Sequence, residues 1–171
     1  NDLLIADIGA GSGAIAAAVA ANLPGAFVYA TEISREAAKV AEANMKKHHL
    51  GGQVSIMLGD LAEPLKSLGK KFDAVLSNPP YIPLSELDNL EPEVSVYEPR
   101  GALAGGADGL DYYRLLLPEC FDILKDGAFV AVEIGMGQND AVREIAFQAG
   151  YHHVETTRDL AGIERVVISY K

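Results

Sequence analysis

Residues 3–31, LLIADIGAGSGAIAAAVAANLPGAFVYAT, contain the strongest indication of the fold. Its first part, Leu3 to Ile8, is a short apolar run typical of a strand buried on both faces of a parallel sheet. The glycine-rich turn Gly9 to Gly13 ends this run, and strong helix formers continue from Ala14 to Leu23. Pro24-Gly25 closes the helix before a second apolar run, Ala26 to Thr31. The stretch therefore predicts a strand, a crossover helix and a second, parallel strand.

The same alternation of strands and helices continues along the chain. The further predicted elements are a helix capped by Ser34 that runs to about His48, strands at Gln53–Leu58, Phe72–Ser77 and Ala128–Ile134, helices at Asp111–Leu124 and Asp140–Ala149, and closing strands at Val154–Thr157 and Arg165–Tyr170. This order predicts an α/β fold with a mostly parallel seven-stranded sheet, helices on both faces and a C-terminal antiparallel hairpin. The segment from Asn78 to Gly109 is long and irregular, which is typical of a functional loop.

Composition limits the class of protein. With 171 residues and 49% hydrophobic content, the chain fits one domain with one core, so we expect residues 1–171 to form a single domain. The formal charge of −10 disfavours extended binding to nucleic acid. The single cysteine, Cys120, excludes a disulfide framework and a multi-cysteine zinc site, and it favours a cytoplasmic location.

One stretch imitates a membrane span, because residues 8–31 carry no charged side chain. Glycines, Pro24 and the polar Asn22 interrupt it, and alanine rather than leucine dominates its composition. We therefore expect no membrane association. The chain starts directly with a strand-like run, so we also expect no signal peptide.

The glycine turn is a candidate ligand site formed by Gly9, Ala10, Gly11, Ser12 and Gly13. A turn of this kind lets a ligand approach the backbone closely at the start of a helix. Glu32 follows the second strand, where its two oxygens can accept from ribose hydroxyls. The pattern alone fits a nicotinamide or flavin cofactor and S-adenosylmethionine equally well, and a tight turn without a ligand is a third interpretation.

Asp60 and Leu61 follow the third predicted strand. A carboxylate there can accept from an adenine amino group while the leucine packs on the ring, which suits an adenosine-containing cofactor. The alternative is that Asp60 only caps a helix beginning near Ala62.

The tetrapeptide Asn78-Pro79-Pro80-Tyr81 follows the fourth strand and is the most specific signal in the chain. Two prolines remove two N–H donors, so the Asn78 side-chain oxygen and the Pro79 carbonyl can both act as acceptors. Two acceptors can hold an NH₂ group and direct its lone pair at an electrophile. If that electrophile is a sulfonium methyl, the reaction is an in-line displacement that depends on positioning. The Tyr81 ring would pack on the planar amide or base and stabilise developing positive charge. A proline-rich turn without function is the alternative interpretation.

Further blocks extend these motifs over nearly the whole chain, and together the sequence resembles the HemK/PrmC family of protein-glutamine N5-methyltransferases. That family has the Rossmann-like fold of class I S-adenosylmethionine-dependent methyltransferases. The blocks are Asn78 to Ile82, Glu98-Pro99-Arg100, Ala102-Leu103, Gly105-Gly106, Asp108-Gly109-Leu110 with Tyr113-Arg114, Glu133-Ile134-Gly135 with Gln138, and Asp159 to Gly162 with Arg165.

The resemblance implies that S-adenosylmethionine is the cofactor and that the substrate is the glutamine of the Gly-Gly-Gln motif in class 1 peptide-chain release factors. It implies that Asn78 and Pro79 hold the glutamine amide, that Pro80 and Tyr81 complete the substrate site, and that Asn78 also adjoins the cofactor. Members usually carry an N-terminal helical domain that recruits the substrate, and we expect this chain to be a catalytic domain without it. Members often have Asp where Glu32 stands here.

Two other functions also fit the sequence. An N6-adenine methyltransferase would grip a flipped base with the same tetrapeptide, although the region from Ser77 to Glu133 has 11 acidic against 3 basic residues. A cofactor-binding subunit without activity of its own is the other. The histidine pairs at 48–49 and 152–153 do not have the spacing of a metal site, and Glu133 is near the predicted crevice without an assigned role.

Overall fold

The computed structural model describes residues 3–89 and 99–171. These residues form one seven-stranded sheet with helices around it. The strands are β1 (Leu3–Ile8), β2 (Ala26–Glu32), β3 (Val54–Leu58), β4 (Phe72–Ser77), β5 (Leu124–Glu133), β6 (His153–Arg158) and β7 (Glu164–Tyr170). The helices are α1 (Ala14–Asn22), α2 (Arg35–Lys47), α3 (Glu63–Lys66), α4 (Arg100–Leu103), α5 (Asp111–Ile123) and α6 (Asn139–Gln148).

The strand order is β3-β2-β1-β4-β5-β7-β6. The pairs from β3 to β5 are parallel, whereas β7 runs antiparallel to both β5 and β6. The predicted α/β class, the parallel sheet and the closing hairpin are therefore confirmed. The chain reverses its direction of sheet growth between β1 and β4, and ligands of open α/β sheets bind at such a point.

The hydrophobic core consists of two clusters on opposite faces of the sheet. Successive side chains of a strand point to opposite faces. Accordingly, Ile8 belongs to the cluster that includes Leu116 and Cys120 of α5, whereas Ile5 belongs to the cluster with Ala16 of α1 and Met45 of α2. Cys120 is fully buried and belongs to this core.

Local signals account for the bounds of α2. The Ser34 hydroxyl accepts a hydrogen bond from the Ala37 backbone N–H at 3.2 Å, so the predicted cap is confirmed. Lys46 and Lys47 lie in the last turn, where positive charge is favourable.

Two parts of the fold differ from the prediction. Strand β5 begins at Leu124 rather than Ala128, because Leu124 pairs with Phe72 before the register shifts between Phe72 and Ala74. The segment predicted as irregular contains α4 and a short parallel bridge between Ile82 and Ala104. Among the described residues, no helix has the length and apolar character to cross a membrane.

Candidate functional site

The predicted site residues follow neighbouring strands at one edge of the sheet. Ile8, the last residue of β1, pairs with Thr31 of β2 and with Ser77 of β4. The Ser77 hydroxyl also donates to the Ile8 carbonyl at 2.7 Å. Gly9 directly follows β1 and Asn78 directly follows β4, and these two strands are paired. Neighbouring strands of a sheet are about 4.8 Å apart. The glycine turn and the tetrapeptide therefore begin side by side.

The glycine turn requires left-handed backbone at three positions, with φ of 73° at Gly9, 56° at Gly11 and 81° at Gly13. A Cβ atom added at Gly9 or Gly11 would meet nothing within 4 Å, so the space beside these residues is open. A Cβ atom at Gly13 would lie 2.9 Å from Met45 Cε. Gly9 and Gly11 thus border free space, whereas Gly13 lets α1 pack closely on α2.

Hydrogen bonds hold the turn in place. The backbone N–H groups of Gly9 and Ala10 both donate to the Thr31 carbonyl at 2.9 Å. The Ser12 carbonyl accepts from the Asn44 side chain, also at 2.9 Å. The turn is therefore preorganised by its neighbours β2 and α2.

Glu32 lies at the end of β2 and is only 8% exposed. Its Oε2 accepts from the Gly11 N–H at 2.7 Å and its Oε1 from the Ser34 N–H at 2.8 Å. A carboxylate has about four acceptor positions, so capacity for further donors remains. Glu32 braces the glycine turn in addition to the ribose role predicted for it.

Asp7 is a buried carboxylate close to the glycine turn that no sequence signal singled out. Its Oδ2 accepts from the Ala16 N–H at 2.9 Å, and its Oδ1 is buried without a hydrogen-bond partner. Burial, with a smaller contribution from the Glu32 charge, raises the pKa of Asp7 to about 7, although the Ala16 hydrogen bond lowers it. One aspartate in an apolar run is compatible with an ordinary strand, so the sequence does not indicate that this carboxylate is buried next to the glycine turn.

Asp60 and Leu61 follow β3, as predicted. Asp60 is exposed, and Leu61 has a left-handed φ of 42° while its carbonyl accepts from the Thr31 hydroxyl at 2.8 Å. The helix α3 begins at Glu63, its cap residue is Ala62, and no side chain caps it. The alternative interpretation of Asp60 as a helix cap is therefore wrong.

The tetrapeptide leaves β4 with Asn78 exposed and Pro79 buried. Among the described residues, two hydrogen bonds involve atoms of the tetrapeptide, and both are made by atoms of Tyr81. The Asn78 side chain is therefore available to a ligand.

Tyr81 is half-buried, and its hydroxyl donates to Glu133 Oε1 at 3.3 Å. Burial raises the pKa of Tyr81, and the Glu133 carboxylate adds to the shift. This contact gives Glu133 a place beside the site. The phenol stays protonated at neutral pH, since its ordinary pKa is already near 10.

The chain after Tyr81 is fastened to a glycine-rich segment. Ile82 donates to the Leu103 carbonyl at 2.9 Å and accepts from the Gly105 N–H at 2.8 Å. Several blocks of the resemblance thus meet behind the tetrapeptide, although Glu98 lies outside the described residues. In the described ranges, no three His, Cys, Asp or Glu side chains form a group that could hold a metal ion.

The sheet order and the site at its edge define the class I fold of S-adenosylmethionine-dependent methyltransferases. A solved structure of a methyltransferase from Pyrococcus furiosus matches with a TM-score of 0.71, covering 98% of this chain and 74% of that one. Its sequence identity is 22%, so the match concerns the fold alone.

Residues 2–89 match the methyltransferase small domain family, and the chain belongs to it. Proteins named release factor glutamine methyltransferase are 45% identical over 163 residues in Geobacter sulfurreducens and 46% identical over 167 residues in Gloeobacter violaceus. These matches cover 95% and 97% of this chain but 56% and 58% of the relatives, so the chain spans little more than half of their length. The resemblance stated from the sequence is confirmed.

S-adenosylmethionine is the methyl donor that this family and fold imply, and the site fits it. Gly9 and Gly11 border open space, Glu32 has acceptor capacity beside them, and the buried Asp7 Oδ1 lacks a donor. These residues would hold its polar groups.

Proposed function

We propose that the chain transfers the methyl group of S-adenosylmethionine to the side-chain amide nitrogen of the glutamine in the Gly-Gly-Gln motif of a class 1 peptide-chain release factor. The observation that carries the proposal is the pairing of Ile8 with Ser77, which sets the glycine turn beside Asn78. The names of the relatives support the same substrate.

In this proposal Asn78 and Pro79 hold the glutamine amide. The exposed Asn78 oxygen accepts one N–H and the Pro79 carbonyl accepts the other, while the absent N–H groups of Pro79 and Pro80 leave few competing donors. Gripping both hydrogens orients the nitrogen lone pair. The described hydrogen bonds leave the Asn78 side chain free for this role.

Tyr81 supplies the flat surface of the substrate site. Its hydroxyl is directed at Glu133 Oε1, so the ring is fixed at one end and cannot turn freely. A fixed aromatic ring can pack on a planar amide and favour the positive charge that develops on the attacked nitrogen.

When bound, S-adenosylmethionine supplies an electrophilic methyl group on a sulfonium centre. The contribution of the chain is to place the amide in line with it and to exclude alternative orientations, which can account for many orders of magnitude in rate. Glu32, Asp60 and Leu61 serve the nucleoside, and Gly9 to Gly13 serve the rest of the cofactor.

We also propose that residues 1–171 act as a catalytic domain in the cytoplasm, with the release factor as protein partner. The single buried Cys120 fits a reducing compartment. Nothing in the net charge of −10 favours the alternative substrate, an adenine in DNA or RNA.

The test is mass spectrometry of a release factor after incubation with labelled S-adenosylmethionine. The wild-type chain should add one methyl group to the Gly-Gly-Gln glutamine. Asn78→Ala should lower turnover by roughly two to three orders of magnitude, comparable to the loss of one preorganised polar group. Asn22→Ala, which changes an exposed asparagine of α1, is the matched control and should keep full turnover.

Methylation of adenine in oligonucleotides without methylation of glutamine would replace the proposal with the alternative. No activity of the isolated chain on either substrate, with cofactor binding intact, would favour a cofactor-binding subunit. Near-normal turnover of Asn78→Ala at saturating cofactor would contradict the role of Asn78.

A further inference from the structure

The side-chain amide of Gln138 joins three segments behind the tetrapeptide. Its Nε2 donates to the carbonyl of Tyr81 at 2.9 Å and to the carbonyl of Gly109 at 3.2 Å. Its Oε1 accepts from the Gly135 N–H at 2.9 Å, and the Tyr113 hydroxyl lies 3.5 Å away. One amide therefore links the tetrapeptide, the glycine-rich segment and the turn after β5.

Two glycines form a slot around this amide. A Cβ atom at Gly109 would lie 2.6 Å from Gln138 Nε2 and 2.4 Å from the Tyr81 carbonyl oxygen. A Cβ atom at Gly135 would lie 2.9 Å from Gln138 Oε1 and 3.0 Å from Tyr81 Cδ2. Real Cβ atoms do not approach other atoms so closely. The Gln138 amide can therefore occupy this position only because residues 109 and 135 are glycines.

The tetrapeptide has few other restraints. Pro79 and Pro80 have no N–H to donate, and the two hydrogen bonds of the tetrapeptide's own atoms among the described residues are the hydroxyl bond to Glu133 and the carbonyl bond to Gln138. The hydroxyl bond holds the ring. The carbonyl bond is therefore the one hydrogen bond on a backbone atom of the tetrapeptide among the described residues, and the bonds of Ile82 to Leu103 and Gly105 hold the chain directly after it.

We propose that Gln138 is a positioning residue for methyl transfer, which fixes the backbone of the tetrapeptide so that Asn78 and Pro79 meet the amide in the correct orientation. The inference rests on the proposed function for its kinetic test. It assigns no contact between Gln138 and substrate or cofactor, since Gln138 acts on the Tyr81 carbonyl from behind.

Gln138→Glu is the sharpest variant. It preserves size and the acceptor for the Gly135 N–H, but it replaces the donor with an oxygen that faces the carbonyls of Tyr81 and Gly109. Gln138→Ala removes both functions. The matched control is Gln148→Glu, the same change at the exposed last residue of α6, where the amide donates to the Glu144 carboxylate.

Three measurements on the purified chain of residues 1–171 test the proposal. They are kcat and KM with a release factor, cofactor affinity by calorimetry, and amide hydrogen exchange without cofactor. We expect Gln138→Glu to lower kcat roughly 10- to 100-fold, since a displacement of about 1 Å can cost that much, with smaller changes in KM and cofactor affinity. Exchange should rise in the peptide with the Ile82 and Leu84 N–H groups, which donate to Leu103 and Gly106, and should stay unchanged in β2. Gln148→Glu should resemble the wild type in all three.

A kcat within about twofold of the wild type, or faster exchange spread over the whole sheet, would overturn the proposal, the second because it indicates global destabilisation. If the wild type leaves the release factor unmethylated, the proposed function fails, and the exchange experiment then decides the positioning role alone. In that case, unchanged exchange at Ile82 and Leu84 in both Gln138 variants would overturn it.

Discussion

At the scale of single residues, Glu32 accepts hydrogen bonds from the N–H groups of Gly11 and Ser34. We propose that its remaining acceptor positions bind the ribose. Glu32→Ala should therefore weaken binding of S-adenosylmethionine by about 1–3 kcal/mol, the scale for losing a hydrogen-bonded charged group. Calorimetry of the variant against Glu36→Ala, an exposed acidic residue of α2, measures the difference. An unchanged dissociation constant for Glu32→Ala would mean that Glu32 is not at the cofactor.

Asp7 makes stability depend on pH. Its pKa is raised from 3.8 to about 7 in the folded chain, mainly by burial, so folding takes up a proton between these values. Stability contributed by this group is therefore lost as pH rises from about 4 to about 7, by about 4 kcal/mol in total, and changes no further above that.

Asp7→Asn should remove this dependence. Chemical denaturation at several pH values gives the free energy of unfolding of each protein. The difference between wild type and variant should fall steadily from pH 4 to pH 7, because the wild type alone must lose a buried proton or carry a buried charge. A difference independent of pH would show that Asp7 keeps an ordinary pKa.

The sequence identifies residues that belong to compact motifs, and it misses residues that act across the fold. Glu32 and Asn78 could be placed at the carboxyl ends of the strands, since Glu32 ends β2 and Asn78 directly follows β4. Gln138 lies 57 positions from Tyr81, and only the folded sheet brings its amide to that carbonyl. The resemblance included Gln138 in a block but assigned it no task.

At the scale of elements, the packing of α1 on α2 depends on Gly13. Its φ is 81°, and a Cβ atom there would lie 2.9 Å from Met45 Cε and 3.2 Å from Ala41 Cβ. Gly13→Ala should therefore lower the free energy of unfolding by about 2–4 kcal/mol, from backbone strain and overpacking together. Gly25→Ala, at a glycine with nothing within 4 Å of an added Cβ, is the control and should stay within about 0.5 kcal/mol. Equal stability of both variants would contradict the packing role of Gly13.

Element positions could be predicted where periodicity and caps agree. Strands β1 and β4 have the predicted bounds, and α2 begins after the predicted Ser34 cap. The early start of β5 could not be predicted, because Leu124 joins the strand through its partner Phe72. The four-residue helix at Arg100–Leu103 was missed because its periodic signal is too short to recognise, and α3 entered the prediction only as part of the alternative interpretation of Asp60.

At the scale of the whole molecule, the two halves of the sheet have different tasks in the proposed reaction. The strands β1 to β3 lead to the cofactor residues, and β4 and β5 lead to the tetrapeptide and its supports, so the switch between β1 and β4 is where the two halves meet. Each half could be predicted from its own motif. Their contact follows from the register of β1 and β4, which the sequence alone does not state.

The net negative charge predicts that the chain does not bind duplex DNA. Sequence-independent binding to duplex DNA comes from lysine and arginine at phosphates, and here 14 basic side chains stand against 24 acidic ones. We therefore expect no binding of a labelled duplex at physiological salt, where basic DNA-binding proteins reach dissociation constants of about 10⁻⁴–10⁻⁶ M. Fluorescence anisotropy measures this directly. A dissociation constant within that range would contradict the prediction, and its slope against salt concentration would count the phosphates contacted, reopening adenine as a substrate.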